Sequence, residues 1–322
     1  MRELKIGKND AGQRLDKFLS KAVKGMPMSM MYKSIRTKKI KVNRKRAEQG
    51  MVLCEGDTVQ LFIREEFFDS PSSDDSALSR IEPKLNIVYE DDNIMLLNKR
   101  PGVLVHEDTA GNENTLIMHV KAYLVQKGEY DPDDEQSFAP SLCNRIDRNT
   151  GGIVIAAKNA AALREMNEHI KQGNIGKFYM CAVHGRLEKK SATLKGWLFK
   201  DSKTNKVYVT DERQKGSKEI ITAYRVVGEK KDSSLLEVNL ITGRTHQIRA
   251  HMAHIGHPLI GDGKYGINRD DRAKGYKYQA LYAYRLIFNF SENEGVLGYL
   301  SGKSFAVPKD EIWFVGEFNA KA

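Results

Sequence analysis

The chain has few of the residues that would staple or anchor it. Its 322 residues include only three cysteines, Cys54, Cys143 and Cys181. They are far apart, odd in number and form no C-x-x-C pair, which argues against a disulfide framework and a thiolate zinc site. Three small buried thiols in a reducing compartment are the expectation. No run of about 18 apolar residues occurs, so no membrane span is expected. The first residues, Met1-Arg2-Glu3-Leu4-Lys5, lack the apolar segment of a secretory leader, and a cytoplasmic protein is expected. A P-loop, a dinucleotide fingerprint and an H-E-x-x-H zinc motif are also missing. No internal repeat is present.

What is there is positive charge. The chain is 40% hydrophobic and 29% charged, as soluble globular proteins are, and carries a net charge of +10. Such an excess suits a polyanionic partner without separating RNA from DNA or anionic lipid. It is concentrated near the N-terminus. Between Arg14 and Ile63 there are 12 Lys and Arg against 4 Asp and Glu, a net of +8. The run Lys33 to Arg46 holds eight of those bases and no acid. A run this dense repels itself unless a phosphate backbone neutralises it.

The same segment reads as folded. Leu15, Phe18, Leu19 and Ala22 recur at helical spacing, and Met30, Met31 and Ile35 predict a second helix with a basic end. Ile40-Lys41-Val42 alternates like a strand, and Gly56-Asp57 predicts a turn before a strand over Thr58–Ile63. The order Arg14-Leu15-Asp16-Lys17-Phe18-Leu19, Ile35 to Asn43, then Gly56-Asp57-Thr58-Val59 resembles the RNA-binding module named after ribosomal small-subunit protein four. Arg44 stands where that module usually has glycine. The resemblance implies RNA contacts from Arg36, Lys38, Lys39, Lys41 and Arg44. The plainer reading is a basic, solvated face without a ligand.

Residues 65–84 are acidic and serine-rich and predict a linker, flexible in part. A second acidic stretch, Glu129 to Glu135, predicts a surface loop. From Leu85 onward, short apolar runs alternate with amphipathic segments. Strands are expected at Ile94–Leu97, Ile153–Ala157, Phe178–Val183, Leu235–Leu240 and Tyr282–Phe288. A helix is expected at Ala160–Gln172, with Leu163, Met166, Asn167 and Ile170 along one side. The irregular spacing favours α+β over a regularly alternating parallel sheet. The expected division is 1–64, a small α+β RNA-binding domain; 65–84, a linker; and 85–322, a catalytic domain.

Three segments could carry chemistry. Asn144-Arg145-Ile146-Asp147-Arg148-Asn149-Thr150-Gly151-Gly152 places a carboxylate between arginines, ahead of glycines that permit a sharp turn or a close approach. Alone, this also fits a turn-capping aspartate. Tyr179, in Gly176-Lys177-Phe178-Tyr179-Met180, alone fits core packing. In Thr242 to Asp262, a helix beginning near Thr245 would aim its N-terminus and arginines at one place. His246, His251, His254 and His257 in this segment suggest a metal, but no acid stands at a metallohydrolase spacing, and no metal site is expected.

Taken together and in order, these segments resemble the RluA-type pseudouridine synthase family. Gly243-Arg244-Thr245-His246-Gln247-Ile248-Arg249 and Gly256-His257-Pro258-Leu259-Ile260-Gly261-Asp262-Gly263-Lys264-Tyr265-Gly266 carry most of the likeness. Asn98 to His106 adds an earlier motif with its proline shifted by one. The likeness runs from about Leu85 to Phe290. Asn144 replaces the usual His, Ile146 the usual Leu, and Gly151-Gly152 the usual Ser-Gly.

The resemblance implies a pseudouridine synthase fold with a mixed, mainly antiparallel sheet. It implies isomerisation of uridine in RNA, with large-subunit ribosomal RNA or its precursor particle as partner. The glycosidic bond breaks, the base turns, and C5 replaces N1 on the sugar. No cofactor is called for. The resemblance also implies roles. Asp147 either attacks C1′ or removes a sugar proton. Tyr179 stacks on the uracil and helps to remove the C5 proton, and Arg249 pairs with Asp147. Arg145 contacts RNA or fills the space of the extruded base. Arg244 and His246 contact RNA. A monomer is expected. Two other classes fit parts of the sequence: a non-catalytic RNA-binding or assembly protein, and a carboxylate-dependent nucleosidase that would release free uracil.

Overall fold

A computed structural model describes residues 1–68, 78, 80–106, 114–201, 206–291 and 295–319. They divide into two compact units, Met1–Lys84 with Ile117–Ser141 and Ala157–Arg164, and Leu85–Leu116 with Leu142–Ala156 and Glu165–Ala322.

In the first unit, Leu15, Phe18 and Leu19 share one side of α1 (Leu15–Ala22) and are fully buried. Met31 and Ile35 do the same for α2 (Met28–Arg36). These faces close over a four-stranded antiparallel sheet of β1 (Arg2–Lys5), β2 (Ile40–Val42), β3 (Lys45–Arg46) and β4 (Thr58–Leu61), in the order β1-β4-β2-β3. Ile40, Val42, Val59 and Leu61 point into the shared core. The hairpin between β2 and β3 turns on Asn43 (φ 51°) and Arg44 (φ 65°), both left-handed. That is the two-residue geometry that matches strand twist. Arg44 thus adopts the conformation that glycine takes most easily. The cost, about 1 kcal/mol, is offset by bonds from Arg44 N to Gln60 Oε1 (2.9 Å) and from Thr58 N to Asn43 Oδ1 (2.9 Å). The module keeps its turn without the glycine.

The acidic stretch packs back on this module. Glu135 accepts a hydrogen bond from Asn9, and Ser137 bonds Asp10 (2.5 Å) and Gln13 (2.7 Å). The expected linker begins docked: Glu65–Phe67 form one 3-10 turn, and Arg2 lies 4.6 Å over the Phe68 ring. The remainder of that expected linker at 69–77 and 79 lies outside the described residues. α3 (Leu116–Gln126) is not apparent in the sequence because it is buried on several sides, which hides a helical period.

The second unit is built on an 11-stranded sheet. Its strands are β5 (Ile87–Glu90), β6 (Ile94–Lys99), β7 (Ser141–Leu142), β8 (Gly151–Ala157), β9 (Ile175–His184), β10 (Ser191–Asp201), β11 (Lys206–Thr210), β12 (Lys218–Lys230), β13 (Ser233–Leu240), β14 (Leu281–Phe288) and β15 (Ser304–Ala306). The main path runs β11-β10-β12-β13-β9-β14-β8-β6-β5. The pairs from β11 through to β14 are antiparallel, whereas β14 and β8 run parallel. The chain is therefore α+β with a mixed, mainly antiparallel sheet. β6 and β8 are buried along their whole length, which is why they read as plain apolar runs. β10 buries only Gly196 and Leu198 and β12 only Ile220, Thr222 and Tyr224, so both carry too weak a pattern to stand out in the sequence. The remaining helices are α4 (Ala160–Gln172), which crosses the division between units, α5 (Gln247–His254), α6 (Arg269–Ala273) and α7 (Gly316–Asn319).

Two expectations need correction. Cys54 is exposed and Cys143 half-buried; only Cys181 is a buried thiol. Cys54 sits in the loop before β4, where no core residue covers it. On α4 the buried line is Ala162, Met166 and His169, so Asn167 faces solvent. Among the described residues no helix is long and apolar enough to cross a membrane.

Candidate active site

Two adjacent glycines set the position of the acid loop. A Cβ on Gly151 would fall 2.4 Å from the Tyr282 ring, and one on Gly152 (φ 115°) would fall 2.1 Å from Ala283 O. Only bare backbone lets β8 run this close to β14. The loop before β8 is tied at both ends. Asn144 Oδ1 accepts from Ile155 N at 2.7 Å, so the asparagine that replaces the usual histidine is a loop anchor here. Thr150 N donates to Asp147 O (3.0 Å), and Gln279 Nε2 donates to Thr150 Oγ1 (3.1 Å). Side chains alternate along the loop: Arg145 and Arg148 are exposed, Ile146 is buried, and Asp147 is a quarter exposed.

Asp147 meets α5. Arg249 Nη1 donates to Asp147 Oδ2 at 2.7 Å, across 102 residues of sequence. The rest of that guanidinium is held by Asp262, with Nε to Oδ2 at 2.7 Å and Nη2 to Oδ1 at 2.8 Å. Burial alone would lower the Arg249 pKa; Asp262 and Asp147 outweigh it and raise it. Asp262 is fully buried and held below the usual carboxylate range: burial opposes this, but hydrogen bonds from Arg249 prevail. This bidentate grip fixes the plane of the guanidinium and leaves one edge for Asp147.

Tyr179, on β9, is buried, and its phenol is pushed up by burial and then by the charge of Asp147. Its phenol therefore stays protonated near neutral pH. His246 precedes α5 in a left-handed conformation (φ 53°). Its Nδ1 lies 2.8 Å from the Tyr265 hydroxyl, and its Nε2 lies 3.8 Å from Asp147 Oδ1. Burial lowers its pKa, with Asp147 opposing and Arg249 adding to the fall. The Tyr265 ring covers Arg249, 5.2 Å from centroid to Cζ, and Lys206 Nζ lies 5.4 Å from the same ring. Arg244 is exposed and is not drawn inward with Arg249.

The other histidines do not converge. His251 bonds Thr222 Oγ1 (3.0 Å), and burial lowers its pKa to about 4. His254 pairs with Asp211 and His257 with the His184 carbonyl. Among the described residues no group of His, Cys, Asp and Glu is arranged to hold a metal.

Sequence reasoning assigns no role to Asp262, Tyr265 or Lys99, although each stands within a recognisable motif. Lys99 is the least expected. It is 2% exposed, and its Nζ donates to the carbonyls of Arg100 (3.2 Å), Val103 (2.9 Å) and Arg148 (2.8 Å). It thereby ties the loop after β6 to the residue following Asp147. Burial lowers its pKa to about 8, with Asp147 opposing. A neutral amine has one donor fewer, so the tie weakens as Lys99 deprotonates. Turnover at saturating RNA is expected to fall through an inflection near pH 8. The stability effect has the opposite sign. Between about 8 and the ordinary lysine value of 10.5 the unfolded chain holds the extra proton, so this residue's contribution to stability rises with pH. Single-turnover rates and melting midpoints measured across this range check both; a flat rate profile would remove Lys99 from the account.

The geometry holds the Asp147 carboxylate against a guanidinium that Asp262 grips from the other side, with buried Tyr179 within electrostatic reach. Matches to known proteins agree in family. Residues 93–254 match the family model described as RNA pseudouridylate synthase, and residues 13–59 match the S4 domain. "Ribosomal large subunit pseudouridine synthase C" of Vibrio parahaemolyticus is 31% identical over 274 residues, covering 84% of this chain and 82% of that protein. The protein of the same name from Escherichia coli K12 is 32% identical over 273 residues, covering 83% and 80%. The solved structure of human RNA Pseudouridylate Synthase Domain Containing 1 shares the fold, with TM-score 0.53 and 21% identity over 78% of this chain and 98% of that one. The acid loop, the Arg249 clamp and these matches lead to one conclusion: the chain belongs to the RNA pseudouridylate synthase family, with an S4 domain at its N-terminus, and is an isomerase that converts uridine in RNA to pseudouridine.

Proposed function

We propose that this chain modifies large-subunit ribosomal RNA, alone or in a precursor particle, with Asp147 as the reacting acid. The observation that carries the reading is the charge-paired carboxylate of Asp147, oriented by Arg249 and within electrostatic reach of buried Tyr179. Tyr179 supports the extruded uracil, and Asp147 acts at the sugar, by attack on C1′ or removal of a sugar proton. Arg145, exposed beside Asp147, contacts RNA or occupies the place that the base leaves, and Arg244 and His246 add contacts. Residues 1–64 act as the RNA-binding module, 65–84 as a linker and 85–322 as the catalytic domain. The protein works as a cytoplasmic monomer. Mapping pseudouridines in ribosomal RNA from cells lacking the chain tests the target directly. Unaltered large-subunit RNA would reject it.

The module's share is testable by charge. Arg36, Lys38, Lys39 and Arg44 are exposed, and Lys41 is half-buried with its Nζ 5.5 Å from the exposed Phe62 ring. Deletion of the module would strip Glu135 and Ser137 of partners, so substitution is the cleaner probe. Changing Arg36, Lys38, Lys39 and Lys41 to alanine is expected to weaken RNA binding at least about tenfold. It should also flatten the dependence of log Kd on log salt by roughly 0.7–0.9 for each phosphate that is no longer neutralised. Turnover at saturating RNA should hold. An unchanged salt slope would show the module to be idle.

A further inference from the structure

Ile267 is 90% exposed, more than any other large apolar side chain among the described residues; Met1 and Val52 follow at 74% and 56%. A single exposed aliphatic is ordinary on a surface. This one is held out by a turn pinned on both sides. Before it, Lys264 N donates to Asp262 Oδ1 (2.9 Å) and Gly266 N to Asp262 O (3.0 Å), while Gly266 lies against Pro258, where a Cβ would come within 3.0 Å. After it, Arg272 N bonds Asn268 O (3.0 Å), and Asp271 Oδ2 accepts from Gly261 N (2.7 Å). The turn therefore cannot easily relax to bury the side chain.

Its position matters more than its exposure. Asp262, which anchors the turn, is the residue that grips Arg249. Tyr265, two residues before Ile267, covers Arg249 and meets His246. Two peptide steps limit the Cα separation of Tyr265 and Ile267 to about 7 Å. Among the described residues, Lys206 lies beside the Tyr265 ring, Lys264 precedes that residue, and exposed Arg269 follows Ile267, next to exposed Asp270. Cations at the border of an acid site suit a phosphate backbone passing over it. An apolar side chain among them has no phosphate to bind, but it can enter a base stack, as apolar wedges do when they part neighbouring bases. Extraction of a stacked uridine needs such a step.

The geometry points to Ile267 as a wedge that opens the base stack beside the target uridine, a positioning residue distinct from the reacting groups. This rests on the reading of Asp147 as the reacting acid, since that places the target at this rim. The test uses an RNA hairpin bearing a uridine that cells lacking the chain fail to modify, with 2-aminopurine as its 3′ neighbour. A second, gapped RNA carries an abasic residue in place of that 3′ neighbour, so the uridine has no base on that side to be parted from. Ile267→Ala is expected to lower single-turnover kcat/KM about 10- to 30-fold on the hairpin and less than about twofold on the gapped RNA. Ile267→Leu should restore the hairpin rate. The fluorescence rise that accompanies binding of the wild-type chain should be lost in Ile267→Ala. Equal losses on both RNAs, or an unchanged fluorescence rise, would overturn the wedge. The fluorescence arm needs no turnover. If Asp147→Asn isomerises the hairpin as fast as the wild-type chain, the reading of Asp147 falls, while the fluorescence still decides the wedge.

Discussion

Replacing Asp147 by asparagine is expected to abolish pseudouridine formation, with a loss of at least about 10⁴-fold, while RNA affinity stays within a few-fold of wild type. The change is isosteric and removes the atom that either attacks or takes a proton. Neither role survives in an amide. The fold should tolerate it, because Asp147 is a quarter exposed and Arg249 keeps both of its bonds to Asp262. Melting should therefore shift little. Pseudouridine has the mass of uridine but reacts with carbodiimide, so a carbodiimide stop assay reads the product directly. Free uracil in the wild-type reaction would instead indicate a nucleosidase. Full activity in Asp147→Asn would move the chemistry to another residue.

Arg249→Ala should fail twice. It frees Asp147 from its orienting partner, and it strands Asp262, whose side chain is 1% exposed. Removing one member of a buried pair costs about 3–5 kcal/mol, because the other charge stays behind. The variant should melt well below wild type and lose most activity. Arg249→Lys separates the two effects. A lysine keeps one charge near Asp262 but cannot supply the planar fork that serves two carboxylates at once. Much of the stability should return, while turnover stays down by about 10²-fold, the size of loss that misplacing a reacting group by an ångström brings. Wild-type turnover in Arg249→Lys would show that orientation of Asp147 is set elsewhere.

The helices and central strands were legible where one face or the whole element is apolar. Leu15, Phe18 and Leu19 announce α1 by their spacing, and Ile153 to Ala157 announce β8 by length and composition. α3 escaped because burial on several sides erases the period, and β10 and β12 because half-exposed strands alternate only weakly. The site was legible in another way. The acid loop and the α5 segment were each ambiguous alone, and only their joint order pointed to one pocket. Order in sequence says nothing of second partners, however. That Asp262 grips Arg249 at both Nε and Nη2, that Lys99 ties the loop after β6 to Arg148, and that Asn144 anchors the acid loop to β8 are facts of three-dimensional closure. Cys54 was misplaced because residue type suggests burial and local fold denies it.

The sharing of Arg249 between two acids has a consequence for descent. Any lineage of this protein that kept its grip on RNA while giving up isomerisation could lose Asp147 more cheaply than Arg249, since that carboxylate is a quarter exposed and Arg249 keeps both of its bonds to Asp262. It could not shed the guanidinium so freely, because Asp262 would be left charged in the interior. Silent descendants should therefore still display the arginine, and its presence in a sequence is no certificate of a living enzyme.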